Sequence, residues 1–207
     1  MTCLFPGSSG GDPAGVVAAV RGRWLRQTFV HWPFRPQAVQ ALLPPELAVD
    51  VYERAAWVGL TPFVMADVLI DVAGTVMPAA RAVGAPFHLG SLRVAGAGAG
   101  DSGSYAGRRV GGRGSYRLSV RPGEPLRPTE RDVWLTSRRR AYTRRPGRIR
   151  ETPVEHEPWP PADVAVDGLE QTLARAAGLP VPLGEPVVHF SPGVTHVRPG
   201  ASRPVSA

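Results

Sequence analysis

Aromatic and β-branched residues crowd the stretch Leu25–Trp32, where Phe29, Val30 and Trp32 stand close together, and predict a strand that ends at Pro33. Pro36–Leu43 follows with Val39, Leu42 and Leu43 on one helical face and Pro44-Pro45 behind it, the signature of a short helix. Alternation then returns. Leu47, Val49 and Val51 predict a strand, Ala56–Leu60 a second, and Phe63–Val68 an extended run after a bend at Pro62. Residues 72–86 read as loop and Phe87–Val94 as a strand. Ala95–Gly114 carries glycine, alanine, serine and arginine without apolar periodicity, an uncommonly long loop for a compact domain.

Order resumes with Tyr116, Leu118 and Val120 alternating along a strand that turns at Pro122-Gly123. Thr129–Thr136 opens like a helix, with Thr129 as N-cap and acids in the first turn. Ala141–Thr143 and Arg148–Val154 flank Pro146-Gly147 as a hairpin, and Glu155–Pro161 is a proline-stiffened loop. Asp163–Ala177 is predicted as the strongest helix, with Val166, Leu169, Leu173 and Ala176 as its apolar stripe and Gly178 as its stop. Val187–Ser191 and Val194–Val197 are predicted as a closing pair of strands around Pro192-Gly193. Short strands with helices inserted singly lack regular βαβ alternation. The expected class is α+β and β-rich: an antiparallel twisted sheet or partly closed barrel with two or three peripheral helices. A single domain spans 24–198, with an irregular or eroded segment at 95–114. Residues 1–23 are expected to be a disordered extension and 199–207 a tail.

Composition narrows the chemistry. The 207 residues include one cysteine, Cys3, which excludes a disulfide framework and a cysteine zinc cluster. No apolar run approaches the roughly 20 residues of a spanning helix, and residues 1–15 lack the early charge of a signal peptide, so a soluble, cytoplasmic protein is expected. All 24 basic residues are arginine, and the formal net charge is +7. A lysine Schiff base is therefore chemically excluded. Arginine concentrates in 108–150, a block that would suit phosphates, but Arg138-Arg139-Arg140 are consecutive and would not line one helical face. A solvated surface explains the block more simply, and nucleic acid is not the expected partner.

Several ordered segments resemble the YqjF-like family of uncharacterised bacterial proteins. They are Phe29-Val30-His31-Trp32-Pro33, Ala56–Phe63, Arg138–Thr143, Glu155-His156-Glu157-Pro158-Trp159-Pro160, Ala176–Pro180 and His189–Val194. The resemblance covers roughly 24–70 and 115–198 and implies an acetoacetate decarboxylase-like fold, a β-rich barrel around a small pocket. The centre departs from the family pattern. In Phe87–Ala95, Phe87 and Arg93 fit, whereas Leu89, Ser91 and Ala95 stand where Glu, Asn and Tyr are expected. A frame-shifted or truncated, inactive family member is thus one alternative, and an arginine-rich binder of nucleic acid or an acidic partner is another.

The leading expectation is a domain that binds a small anionic organic molecule without amine chemistry. His31 and His156 are the candidate proton carriers. His156 lies between Glu155 and Glu157, anions that raise an imidazole pKa, while the simpler role is a backbone hydrogen bond that orders the loop. Arg93 would hold the anion, and His189 and Trp159 would line the ligand. His189 and His196 lack helical metal spacing, and neither metal nor cofactor is expected.

Overall fold

The computed structural model describes residues 19–72, 75–78, 102–108, 113–145 and 148–205. Its framework is one antiparallel sheet, in agreement with the expected class. β1 (Ala19–Phe34) is the long central strand. On one side it pairs with β2 (Ala56–Leu60) through Val30–Phe34 and with β3 (Val64–Val72) through Ala19–Leu25, and β3 pairs in turn with β4 (Thr75–Pro78). β5 (Gly103–Arg108), β6 (Ser115–Pro125), β7 (Arg140–Arg145), β8 (Arg148–Glu155), β9 (Ala162–Gln171) and β10 (Val187–Pro199) follow in chain order. The main path runs β4-β3-β1-β10-β9-β6-β5. The β7–β8 hairpin hangs from the end of β10, and β11 (Arg203–Pro204) pairs with β8. The helices are short: α1 (Pro36–Gln40), α2 (Glu130–Thr136) and α3 (Leu173–Ala176).

Two strands set the geometry of everything else. β1 and β10 pair with Gln27 opposite Ser191, Phe29 opposite His189 and His31 opposite Val187. Strand alternation therefore puts these six side chains on one face, and Val30, Trp32 and Phe34 on the other. The second face is the main core. Val30, Trp32, Phe34, Leu60, Leu118, Val120 and Leu179 are buried there together. Removing that apolar area from water is the main force holding the sheet, at about 25 cal/mol per Å².

Several sequence expectations are corrected. The helix expected over 163–177 is strand β9 followed by the single turn α3. Ala162, Val164 and Val166 also alternate with period two, β-branched valines favour extended backbone, and β6 supplies ladder partners from Tyr116 to Pro125. Pairing outweighed a weak helical stripe. The strands expected on either side of Pro192-Gly193 are one continuous β10. Gly193 does not turn the chain; with φ +130° it lets β10 pass so close to β1 that a Cβ would lie 2.2 Å from the Trp24 carbonyl oxygen. Residues 47–51 form no strand; the next pairing is an isolated bridge between Tyr52 and Ala55. Pro122-Gly123 is not a turn but part of β6, where the register with β9 shifts.

The segment 95–114, expected to be without structure, contains β5. Tyr105 from β5 is 2% exposed in the core, and its hydroxyl donates to the Arg26 carbonyl at 2.7 Å. β1 begins at Ala19, inside the stretch expected to be disordered. The strand expected over Phe87–Val94, with Arg93, lies outside the described residues. Among the described residues no helix is long and apolar enough to cross a membrane.

Candidate functional site

The first face of β1 and β10 is unusual for a sheet interior because it is polar. Gln27, His31, His189 and Ser191 are all buried on it, at 3%, 2%, 6% and 0% exposure. Gln27 and Ser191 are engaged, since the Gln27 amide donates to the Pro62 carbonyl and Ser191 Oγ accepts from the Gly193 amide. The two histidines are not fully engaged. Among the described residues neither ring nitrogen of His31 has a hydrogen-bond partner, and Nδ1 of His189 has none. A buried polar atom left unpaired costs roughly 1–3 kcal/mol, so three in one place call for water or a ligand.

The remaining nitrogen, His189 Nε2, lies 3.0 Å from Asp132 Oδ1. Asp132 reaches this point through the start of α2. Thr129 and Asp132 form a reciprocal capping box, in which Thr129 Oγ1 accepts from the Asp132 amide and Asp132 Oδ2 accepts from the Thr129 amide at 2.8 Å. One carboxylate oxygen thus fixes the helix and the other fixes the imidazole. Burial alone would raise the Asp132 pKa, but the hydrogen bonds from Thr129 and His189 together hold it below the usual carboxylate range. A carboxylate only accepts, so Nε2 carries the proton and the lone pair of Nδ1 is free. His31 sits diagonally across the strand pair from His189, a separation of about 7 Å between Cβ atoms that one small molecule can bridge. Burial lowers the His31 pKa to about 3, so this ring is neutral at physiological pH and offers one donor and one acceptor.

An aromatic row extends the face. The Phe29 ring stacks against His31 at 6.1 Å and meets Trp159 edge-on at 5.2 Å; Trp159 in turn lies 4.9 Å from His156 and 6.4 Å from Trp24. Trp24 and Phe29 are five residues apart, which on a regular strand would place them on opposite faces. Arg26, with φ 51°, introduces the irregularity that brings both to Trp159.

His31, His156, His189 and Trp159 therefore share one face, while Arg93 is outside the described residues. His156 behaves differently from its expected acid–base role. Its Nδ1 is 2.6 Å from the Glu157 carbonyl, and burial lowers its pKa where the flanking carboxylates had been expected to raise it. Glu157 is turned away toward His196 and Thr195, at 2.7 and 2.9 Å. The residue that sequence reasoning missed is Asp132. The spacing Thr129-x-x-Asp132 signals the cap, but nothing in it signals the second bond to a strand more than fifty residues away.

A hollow lies behind β1. A cavity of about 210 Å³ is lined by Trp32, Phe34, Leu60, Leu173, Leu179 and neighbouring apolar groups, with Gln171 as its polar member. It opens on the face opposite His31, and no charged side chain among the described residues lines it. The chemistry and this apolar cavity are thus separated by the thickness of one strand. Among the described residues no cluster of three or more His, Cys, Asp or Glu has the arrangement of a metal site.

Similar proteins place the chain in context. Residues 21–83 and 69–195 match DUF2071, a family of uncharacterised conserved proteins. The uncharacterised protein YqjF of Bacillus subtilis (strain 168) is 25% identical over 211 residues, covering 83% of this chain and 87% of that protein. Two solved structures of the enduracididine biosynthesis enzyme MppR each align with 97% of this chain at 16% identity. The one complexed with pyruvate is covered over 94% of its length with a TM-score of 0.44. The one complexed with the condensation product of pyruvate and imidazole 4-carboxaldehyde is covered over 99% with a TM-score of 0.45. With most of its length matched from β1 to β10, the chain belongs to the DUF2071 family.

Proposed function

We propose that the chain binds a small anionic organic molecule, a hydroxy or keto acid, between the polar face of β1–β10 and α2. The observation that carries this reading is the set of three buried ring nitrogens without partners on His31 and His189. A hydroxyl or enol donates to His189 Nδ1 while a carbonyl or carboxylate oxygen accepts from the neutral His31 ring. The net charge of +7 favours an anion over a cation at long range. The absence of lysine from the chain means that binding does not proceed through an imine. Arg93 is proposed from the sequence alone as the partner of the ligand carboxylate.

A thermal-shift screen of the full chain against short hydroxy and keto acids tests the reading. At least one acid should raise the melting temperature in a dose-dependent way, since a ligand at 100 times its Kd adds about 2.7 kcal/mol to stability. The same acid should raise that of His31→Gln much less. No shift with any acid, or an equal shift in His31→Gln, would remove the site from this face.

A further inference from the structure

Building on the proposed ligand site, we infer that Asp132 and His189 form a proton-accepting pair, with enolisable 2-keto acids as the substrate class and reversible proton removal next to the keto group as the reaction. The Asp132 carboxylate is fixed by the Thr129 amide at 2.8 Å, and it meets His189 Nε2 at 3.0 Å. Because it can only accept, it holds the imidazole in the tautomer whose Nδ1 lone pair is bare. Among the described residues that buried lone pair meets no donor, and diagonally across the strands stands a second buried imidazole with both nitrogens unpartnered. A base and a hydrogen-bond donor on one buried face of the sheet, in a chain without lysine, suit proton transfer rather than covalent capture.

In the step, the C–H bond next to the keto group breaks and the proton goes to His189 Nδ1. The electron pair forms the C=C bond of the enolate, and the oxygen takes the developing charge against the His31 N–H. Return of the proton restores the keto acid, so nothing is oxidised or reduced. His189 is the catalytic residue in this scheme, and Asp132 is a positioning residue.

Proton NMR of the full chain in D₂O with 2-oxobutyrate reads the exchange directly as loss of the C3 proton signal. Exchange should run at least about 100-fold above buffer, the usual contribution of a positioned base. His189→Gln should abolish it. Asp132→Asn keeps an acceptor for the Thr129 amide but presents an NH₂ group to Nε2. It should move the His189 proton from Nε2 to Nδ1, visible in ring ¹⁵N shifts, and lower exchange by a similar factor. Binding of 2-oxobutyrate with exchange at the buffer rate would overturn this inference and leave the binding reading standing. Neither exchange nor binding, with no thermal shift from any other acid, would remove both. A wild-type His189 protonated on Nδ1 would overturn the inference without recourse to any variant.

Discussion

At the residue scale the site turns on a histidine that must stay neutral. His31 is 2% exposed and its pKa is lowered to about 3, chiefly by burial. An unfolded chain takes up this proton near pH 6.5, so the folded state binds fewer protons than the unfolded state between those values. The contribution is therefore complete above about pH 6.5 and is lost as the pH falls toward 3, at about 1.4 kcal/mol per pH unit for one proton. Urea melts from pH 7 to 4 should show that slope, and His31→Gln should flatten it. Equal slopes in the two proteins would mean that the ring is already charged or already bonded. His31 and His189 were legible in the sequence because each sits beside an aromatic residue in a strand-forming run. Their convergence needed the register of β1 on β10, which no local pattern encodes. Asp132 was legible as a cap and not as a partner of His189, because the two meet only after α2 docks on the sheet.

At the scale of elements, the capping box of α2 has two tasks. Thr129→Ala removes the side-chain acceptor for the Asp132 amide, which should cost about 1 kcal/mol and loosen the carboxylate that holds His189. Chemical denaturation measures the first effect, and broadened His189 ring signals the second. A variant as stable as wild type with unchanged His189 signals would detach the cap from the site. Strand β10 offers a sharper case. Gly193→Ala forces a Cβ against the Trp24 carbonyl and requires a left-handed backbone, so it should cost about 3 kcal/mol or more in a denaturation melt. An unchanged midpoint would mean that β1 and β10 separate there, as the sequence reading of two strands around a turn had it. That reading failed because Pro192-Gly193 is a turn signal whenever no strand lies alongside. The helix expected over 163–177 failed similarly: the helical stripe at Val166, Leu169 and Leu173 overlaps a period-two run at Ala162, Val164 and Val166, and the ladder with β6 decides between them. The capped helix α2 was legible because its signal is entirely local.

Across the whole molecule, β1 divides two environments. One face carries an apolar core with a cavity of about 210 Å³, and the other carries buried imidazoles and a carboxylate. The broad class, an antiparallel β-rich sheet with short helices, followed from the order of short strands and from the family resemblance. The sheet's far edge did not, because β5 is written in glycine, serine and alanine, with Arg108 at its end and Tyr105 as its single large apolar residue. Tyr105 joins this edge to β1 through the Arg26 carbonyl and the Thr28 hydroxyl. Tyr105→Ala should therefore cost about 3–5 kcal/mol, as for other buried aromatic truncations, and a calorimetric melt would register it. A loss below about 1 kcal/mol would show that residues 103–108 are dispensable, in line with an eroded centre.

Ring ¹⁵N spectra of the uniformly labelled chain probe the unpartnered nitrogens of His31 and His189 most directly. With a saturating hydroxy or keto acid, the nitrogens of His31 and His189 should shift together while those of the exposed His196 stay in place. Unmoved His31 and His189 signals in the presence of an acid that stabilises the protein would place the ligand elsewhere and contradict the account.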